Sequence, residues 1–150
     1  MHFKKSNDNQ STILHEGSVP YLTFKKLDQA GVRHGFSTRM GGVSEGMVST
    51  LNLSYNRGDK KEAVDENFRR ISEAIGFDHT KLVFSNQIHE TRIHKVTKED
   101  CGKVMKDMDG LATNEQGIPL YTGYADCVPL FFYDPVAVSY THLKLPTNSR

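Results

Sequence analysis

The sequence predicts an α+β fold, and three observations carry that prediction. Short β-branched or aromatic runs outnumber helical patterns, one long stretch has clear helical periodicity, and strands do not alternate regularly with helices as a doubly wound parallel sheet requires. At 150 residues the chain has the length of a single domain. A compact chain of that size buries about 70% of its unfolded surface, enough for a real core.

The elements follow in order. Residues 1–17 are polar and aperiodic, so a loose lead-in is expected there. Val19–Phe24 and Val32–Thr38 read as strands, joined by a short polar helix or turn ending at Gly31. The Gly-, Ser- and Asn-rich stretch from Arg39 to Asp59 suits no regular element and predicts a long loop, a place where function often sits. Lys60–Ile75 is the clearest helix: Val64, Phe68, Ile71 and Ile75 fall on one face. Asp59 is its expected N-cap with Glu62 completing a capping box, Asp65–Arg69 and Glu66–Arg70 are expected i,i+4 pairs, and Gly76 closes it. This helix reads as structural. Beyond it, KLVFSNQIHETRIHKV predicts two strands broken near Asn86, Asp109–Asn114 a short strand, and IPLYTGYADCVPLFFYDP two strands broken around Ala125–Cys127.

Composition excludes several classes. Lysine and arginine number 19 against 18 acidic residues, a net charge of +1, so neither nucleic acid nor a membrane surface is an expected partner. The longest apolar run, Val128–Tyr133, is strand-sized rather than membrane-spanning. The opening MHFKKSNDNQST has no apolar stretch behind its lysines and so lacks the form of a secretory signal. The two cysteines, Cys101 and Cys127, sit in unlike contexts without a CxxC, and a reducing cytoplasm is the expected location.

Three clusters could carry chemistry. In STRMGGVSEG, Ser37–Gly46, an arginine follows a strand end, and glycines permit close backbone approach. Arg39 with the N–H groups of Gly41 and Gly42 could cradle a phosphate or carboxylate. Neither GxxxxGK[ST] nor GxGxxG is present, and taken alone the stretch is more simply a glycine turn with an exposed arginine. In NQIHETRIH, His89 and His94 face opposite sides of a strand and are neither i+3 nor i+4 on a helix, so a shared metal is not expected. On spacing alone, each is more simply a solvated or core histidine. In YADCVPLFFYDP, Cys127 follows Asp126, whose charge opposes thiolate formation. A metal would resolve that conflict, since Zn²⁺ holds a thiolate while a carboxylate orients its surroundings. No compact zinc signature joins His89 to Cys127, so a buried inert cysteine stays open as the alternative.

Taken in order, HGFSTRMGGVSEGMVSTLNLSYNRGD, VDENFRRISEAIG, NQIHETRIHKV, DGLATN and YADCVPLFFYDP resemble the bacterial YfiH-type, or laccase-domain, family. That family was once labelled polyphenol oxidase and is now described as purine nucleoside phosphorylases. The resemblance runs from about Val32 to Pro135. It implies mixed β-sheets layered between helices over residues 18–136. It implies a zinc ion held by the histidine of Q-[VI]-H-G, the cysteine of A-D-C-V-P and a histidine of a later H-A-G-W-R-G. The first two map onto His89 and Cys127, which become the catalytic and metal-holding candidates. Arg39 matches the arginine of S-T-R-x-G-G and becomes the anion contact, with Gly41 and Gly42 beside it. Gln87 and Asp126 become outer supports of the ligands. The implied partners are phosphate and purine nucleosides: adenosine, inosine, guanosine and methylthioadenosine are phosphorolysed, and adenosine is also deaminated.

Two departures qualify the match. Glu90 stands where the family usually has glycine after the histidine. Past Val136 the chain reads AVSYTHLKLPTNSR, without H-A-G-W-R-G and with no tryptophan anywhere. The expectation is therefore an N-terminal piece of the domain with a non-native tail over residues 137–150, binding zinc poorly and turning over little. His142 is not assigned as a ligand, because none of the family's flanking residues accompany it.

Other readings predict other chemistry. A copper-dependent phenol oxidase, the older family label, commonly pairs histidines as HxH, and the seven histidines here form no such pair, although soft Cys/His ligation alone admits copper. A cysteine hydrolase editing peptidoglycan precursors would use Cys127 as nucleophile and His89 as base. A small non-enzymatic binding domain explains the glycine loop but not the His89 and Cys127 segments.

Overall fold

The computed structural model describes residues 11–136 and the backbone of 139–144. They fall into two compact units, 1–76 and 77–150, a division that no shift in composition announces at Gly76. The architecture is the mixed α and β one expected, with small sheets and few helices. No helix among the described residues is long and apolar enough to cross a membrane.

The first unit holds a three-stranded antiparallel sheet of β1 (Thr12–His15), β2 (Tyr21–Phe24) and β3 (Phe36–Ser37), in that order. The loose lead-in does not extend through Thr12–His15. That segment pairs with β2 from Thr12↔Phe24 to His15↔Tyr21, and the His15 ring stacks on Tyr21 with centroids 4.6 Å apart. β2 begins after Pro20, which has no N–H to give to a ladder. The strand expected over Val32–Thr38 shrinks to β3 because a side chain takes the place of a ladder bond: buried His34 accepts the Phe24 N–H on Nε2 at 2.6 Å. Its Nδ1 lies 2.8 Å from the Val32 carbonyl, so the neutral ring donates from Nδ1 and accepts at Nε2. Between β2 and β3 runs the short helix α1 (Lys25–Gln29).

The long helix α2 (Lys61–Ile75) forms as its periodicity requires. Val64, Phe68 and Ile71 are buried, and Ile71 packs with Val19 and Leu51, flanked by Tyr21, Leu53 and Ile75. Each fully buried aliphatic side chain of this kind contributes about 1.5–3 kcal/mol. Gly76 ends the helix with a left-handed φ of 88° and its N–H on the Ser72 carbonyl. The capping box is absent: Lys60 is the N-cap, and Asp59 instead accepts hydrogen bonds from Ser44, Asn52 and the Lys60 N–H. Glu66–Arg70 pairs as expected at 2.8 Å, but Asp65 takes Lys61 and Tyr55 while Arg69 takes Glu66 and Glu73.

The second unit holds two sheets. β4 (Val83–Ser85) lies between β6 (Val104–Met105) and β8 (Leu120–Tyr121), parallel to both. The other sheet runs β5 (Ile93–Lys95), β7 (Gly110–Thr113), β10 (Ser139–Lys144), β9 (Pro129–Asp134), with β5–β7 parallel and the remaining pairs antiparallel. Val83, Val96 and Leu111 form the core of this unit, flanked by Met105, Ile118 and Leu120. β10 lies within the stretch where a non-native tail is expected, and residues 137–138 and 145–150 of that stretch lie outside the described residues.

Candidate functional site

The first unit carries Arg39, Gly41 and Gly42. Arg39 is exposed, and its Nε and Nη2 donate to the Ser49 carbonyl at 3.1 and 2.6 Å. Its own carbonyl accepts from the N–H groups of Thr50 and Leu51 and from Thr50 Oγ1. Gly41 and Gly42 are glycine for a packing reason. A Cβ on Gly41 would sit 2.2 Å from the Ser18 carbonyl oxygen, and one on Gly42 only 2.0 Å from that of Thr50. The Gly42 N–H donates to Thr50 Oγ1 at 3.3 Å. At these residues two backbone segments cross closely, with Arg39 folded onto the crossing.

This crossing is fastened to α2 by Asn67, fully buried in the helix. Its Oδ1 accepts the Val43 N–H, and its Nδ2 donates to Ser44 Oγ and to the carbonyls of Asn52 and Thr50. Ser44 in turn donates to Asp59 at 2.6 Å. Hydrogen bonds from Asn52 and Ser44 hold the Asp59 carboxyl below its ordinary value, so it stays an acceptor. Asn67 and Asp59 were not legible as loop anchors, since both fit an ordinary helix and its cap.

The second unit carries His89, Gln87, Asp126 and Cys127. His89 lies exposed on the loop between β4 and β5, with a left-handed φ of 64°. A non-glycine residue held there costs about 1–2 kcal/mol. What holds it is Asp109, 2% exposed at the start of β7. Asp109 Oδ1 accepts the N–H groups of Ile88 and His89 at 3.0 and 2.7 Å, and Oδ2 accepts that of Glu90 at 2.8 Å. Hydrogen bonds to a charged group contribute about 1.5–3 kcal/mol each, so together they outweigh the backbone cost. Asp109 was missed in the sequence, where DGLATN reads only as a short strand.

His94 is on β5, and its Nε2 lies 3.3 Å from Asp100 Oδ2. Asp100 also accepts the Thr97 N–H in a capping box, which is the largest cause of its lowered carboxyl pKa. The two histidines thus have different surroundings, His89 on an exposed loop and His94 beside Asp100. Gln87 is half-buried two residues before His89.

Cys127 is half-buried between β8 and β9, with Sγ 3.6 Å from the Asp126 carboxylate. Both sit in the irregular segment before the apolar strand, so Cys127 is not a core residue. Beside them, burial pushes the Tyr124 phenol up; a hydrogen bond from Thr122 opposes that and the nearby Cys127 adds to it. His89 and Cys127 are the soft nitrogen and sulfur donors that zinc takes. No three His, Cys, Asp or Glu side chains gather as a metal site among the described residues.

Comparison with known proteins gives a consistent result. The family described as multi-copper polyphenol oxidoreductase laccase matches residues 33–142, continuing past Pro135 into β10. A purine nucleoside phosphorylase, YlmD of Bacillus subtilis, is 41% identical over 109 residues, covering 68% of this chain and 39% of that protein. The mouse purine nucleoside phosphorylase LACC1 is 38% identical over 106 residues, covering 69% of this chain and 24% of that protein. Among solved structures, YlmD from Geobacillus stearothermophilus superimposes with a TM-score of 0.83 at 32% identity, over 90% of this chain and 53% of that one. The chain therefore spans less than half the length of these curated relatives and about half of that solved chain.

Proposed function

Because this chain belongs to the multi-copper polyphenol oxidoreductase laccase family, we propose that it functions in purine nucleoside phosphorolysis, in the cytoplasm, at a zinc site that includes His89 and Cys127. The observation that carries this reading is that its relatives are named purine nucleoside phosphorylases. His89 is exposed on a pinned loop, and Cys127 stands outside the core strand.

In this proposal a phosphate oxygen bonds to C1′ of the ribose as the C1′–N9 bond breaks, and the purine leaves with the bonding pair and takes up a proton. Zinc, when bound, supplies a Lewis acid at that site. Arg39, in the first unit, is proposed by itself as a phosphate contact, exchanging its bonds to the Ser49 carbonyl for charge-assisted ones. The Asp126 carboxylate, 3.6 Å from Cys127 Sγ, would be an outer support of that ligand, and the thiol proton would pass to solvent. Adenosine deamination belongs to the same proposal, with adenosine, inosine, guanosine and methylthioadenosine as the substrate set.

The test is release of free base from inosine with phosphate, together with ammonia release from adenosine. The polypeptide assayed extends the chain through the length of its relatives. Cys127→Ser and His89→Ala are expected to abolish zinc binding and phosphorolysis together, and Arg39→Ala to raise the KM for phosphate. Unchanged turnover in Cys127→Ser and His89→Ala sinks the site assignment. The family's description as a multi-copper polyphenol oxidoreductase favours one second reading, copper-dependent phenol oxidation. Stoichiometric copper with phenol oxidation, and no phosphorolysis, would replace the first reading with that one.

A further inference from the structure

We propose that Asp109 is the positioning residue of the His89 site: its enclosed carboxylate winds the β4–β5 loop around itself and fixes the backbone that presents the imidazole. This rests on the reading of His89 as the histidine of the functional site.

The loop is closed at both ends against residues 108–110, which lead into β7. Met108 N–H donates to the Asn86 carbonyl at 3.1 Å, and the N–H groups of Asp109 and Gly110 both donate to the Arg92 carbonyl, at 2.8 and 3.1 Å. Between those closures, three consecutive N–H groups point inward at one side chain. A carboxylate suits this place better than any other side chain of its length, because it only accepts and both oxygens are used. An amide would turn an NH₂ group toward one of the N–H donors. Glutamate would bring its oxygens one methylene too far into the loop.

The direction of the His89 Cα–Cβ bond follows from its backbone, and that backbone is left-handed, with φ 64°. Release into the ordinary helical or extended region would swing the imidazole away while leaving the strands in place. Glu90 belongs to the same device through its N–H, the third of the inward-pointing donors, while its carboxylate reaches the Arg92 guanidinium at 3.1 Å. The loop thereby keeps its inward turn with a non-glycine residue after the histidine. A merely structural Asp109 would change the unfolding midpoint alone; a positioning one also changes what His89 can bind.

The experiment uses the 150-residue chain, as wild type, Asp109→Asn, Asp109→Ala and Asp100→Asn, the last releasing the neighbouring cap without touching the His89 loop. Amide hydrogen exchange followed by NMR is expected to show Ile88, His89 and Glu90 protected in wild type and in Asp100→Asn. In both Asp109 variants that protection should fall at least about 10-fold while β4, β5 and β7 stay protected. Zinc titrated calorimetrically into the same variants of the polypeptide extended through the length of the relatives should bind on the order of 10–100-fold more weakly in the Asp109 variants. His89→Ala serves as the reference for lost ligation.

Protected amides at 88–90 in both Asp109 variants overturn the proposal, as does rapid exchange of those amides in wild type, a result that needs no variant to fold. Unchanged zinc affinity in Asp109→Asn, where His89→Ala abolishes binding, overturns it too. Zinc binding indifferent to His89→Ala instead defeats the reading of His89 as a ligand. The exchange data then still decide whether Asp109 holds the loop.

Discussion

Asn67 Nδ2 donates to Ser44 Oγ at 2.8 Å, tying the middle of α2 to the loop that follows Arg39. Ser44 passes the chain on to Asp59, which also accepts from Asn52, so one buried amide and one carboxylate hold the whole crossing. Asn67→Ala leaves several enclosed polar groups without their partner, each costing about 1–3 kcal/mol. A loss of at least about 2 kcal/mol in urea unfolding is expected, with Asn67→Asp worse, because a carboxylate would face the Thr50 and Asn52 carbonyls. A loss below about 0.5 kcal/mol, the level of an ordinary surface change, contradicts the anchoring role.

Gly42 and Gly58 separate steric need from conformational need. A Cβ at Gly42 meets the Thr50 carbonyl oxygen at 2.0 Å, whereas one at Gly58 meets nothing within 4 Å but inherits a φ of 74°. Gly42→Ala must push two backbone segments apart, and overpacking of this kind costs about 1–3 kcal/mol or more. Gly58→Ala carries only the left-handed penalty, about 1 kcal/mol. Denaturation midpoints of the two variants should therefore rank with Gly42→Ala the lower; the reverse order would refute the crossing.

Acid titration should weaken α2. Hydrogen bonds from Arg69 and then Arg70 lower the Glu66 carboxyl from 4.5 to about 2. A carboxyl whose pKa is lower folded than unfolded contributes stability above its unfolded value and loses it as pH falls through the folded one. Helicity measured by circular dichroism should thus decline between about pH 4.5 and about 2, more shallowly in high salt because the pairs are exposed. In Glu66→Gln that part of the decline should disappear. An identical acid profile in that variant would show the pairs to be unimportant.

Tyr55 titrates in the opposite window. Burial, then the hydrogen bond to Asp65 and its charge, raise the phenol from 10.0 to about 12. The contribution of the neutral phenol is intact below pH 10 and is lost as pH rises through about 12. The phenolate absorbance difference between wild type and Tyr55→Phe should rise near the upper value, and in Asp65→Asn it should move down toward 10.0. Ionisation at the ordinary tyrosine value in wild type would contradict the hydrogen bond to Asp65.

What was legible depended on whether a signal is local. The buried face of α2 repeats every three or four residues, so Val64, Phe68 and Ile71 announce it without knowledge of any partner. Gly76 is equally local, because a left-handed terminus needs no distant contact. The strand of Val32–Thr38 shortened for a non-local reason, His34 having captured the Phe24 N–H. The Asp59 cap failed likewise, its oxygens being claimed by Ser44 and Asn52 from the loop.

The sequence by itself determined the fold class, the one long helix, most strand positions and the ordered motifs that single out Arg39, His89 and Cys127. Only the tertiary structure decided that Gly41 and Gly42 serve a backbone crossing, that Asn67 fastens it, and that Asp109 holds His89 from inside its loop. The physical reason is shared. Apolar periodicity is written along a segment, whereas a buried polar side chain takes its role from backbone groups some twenty residues away, as Asp109 does from His89.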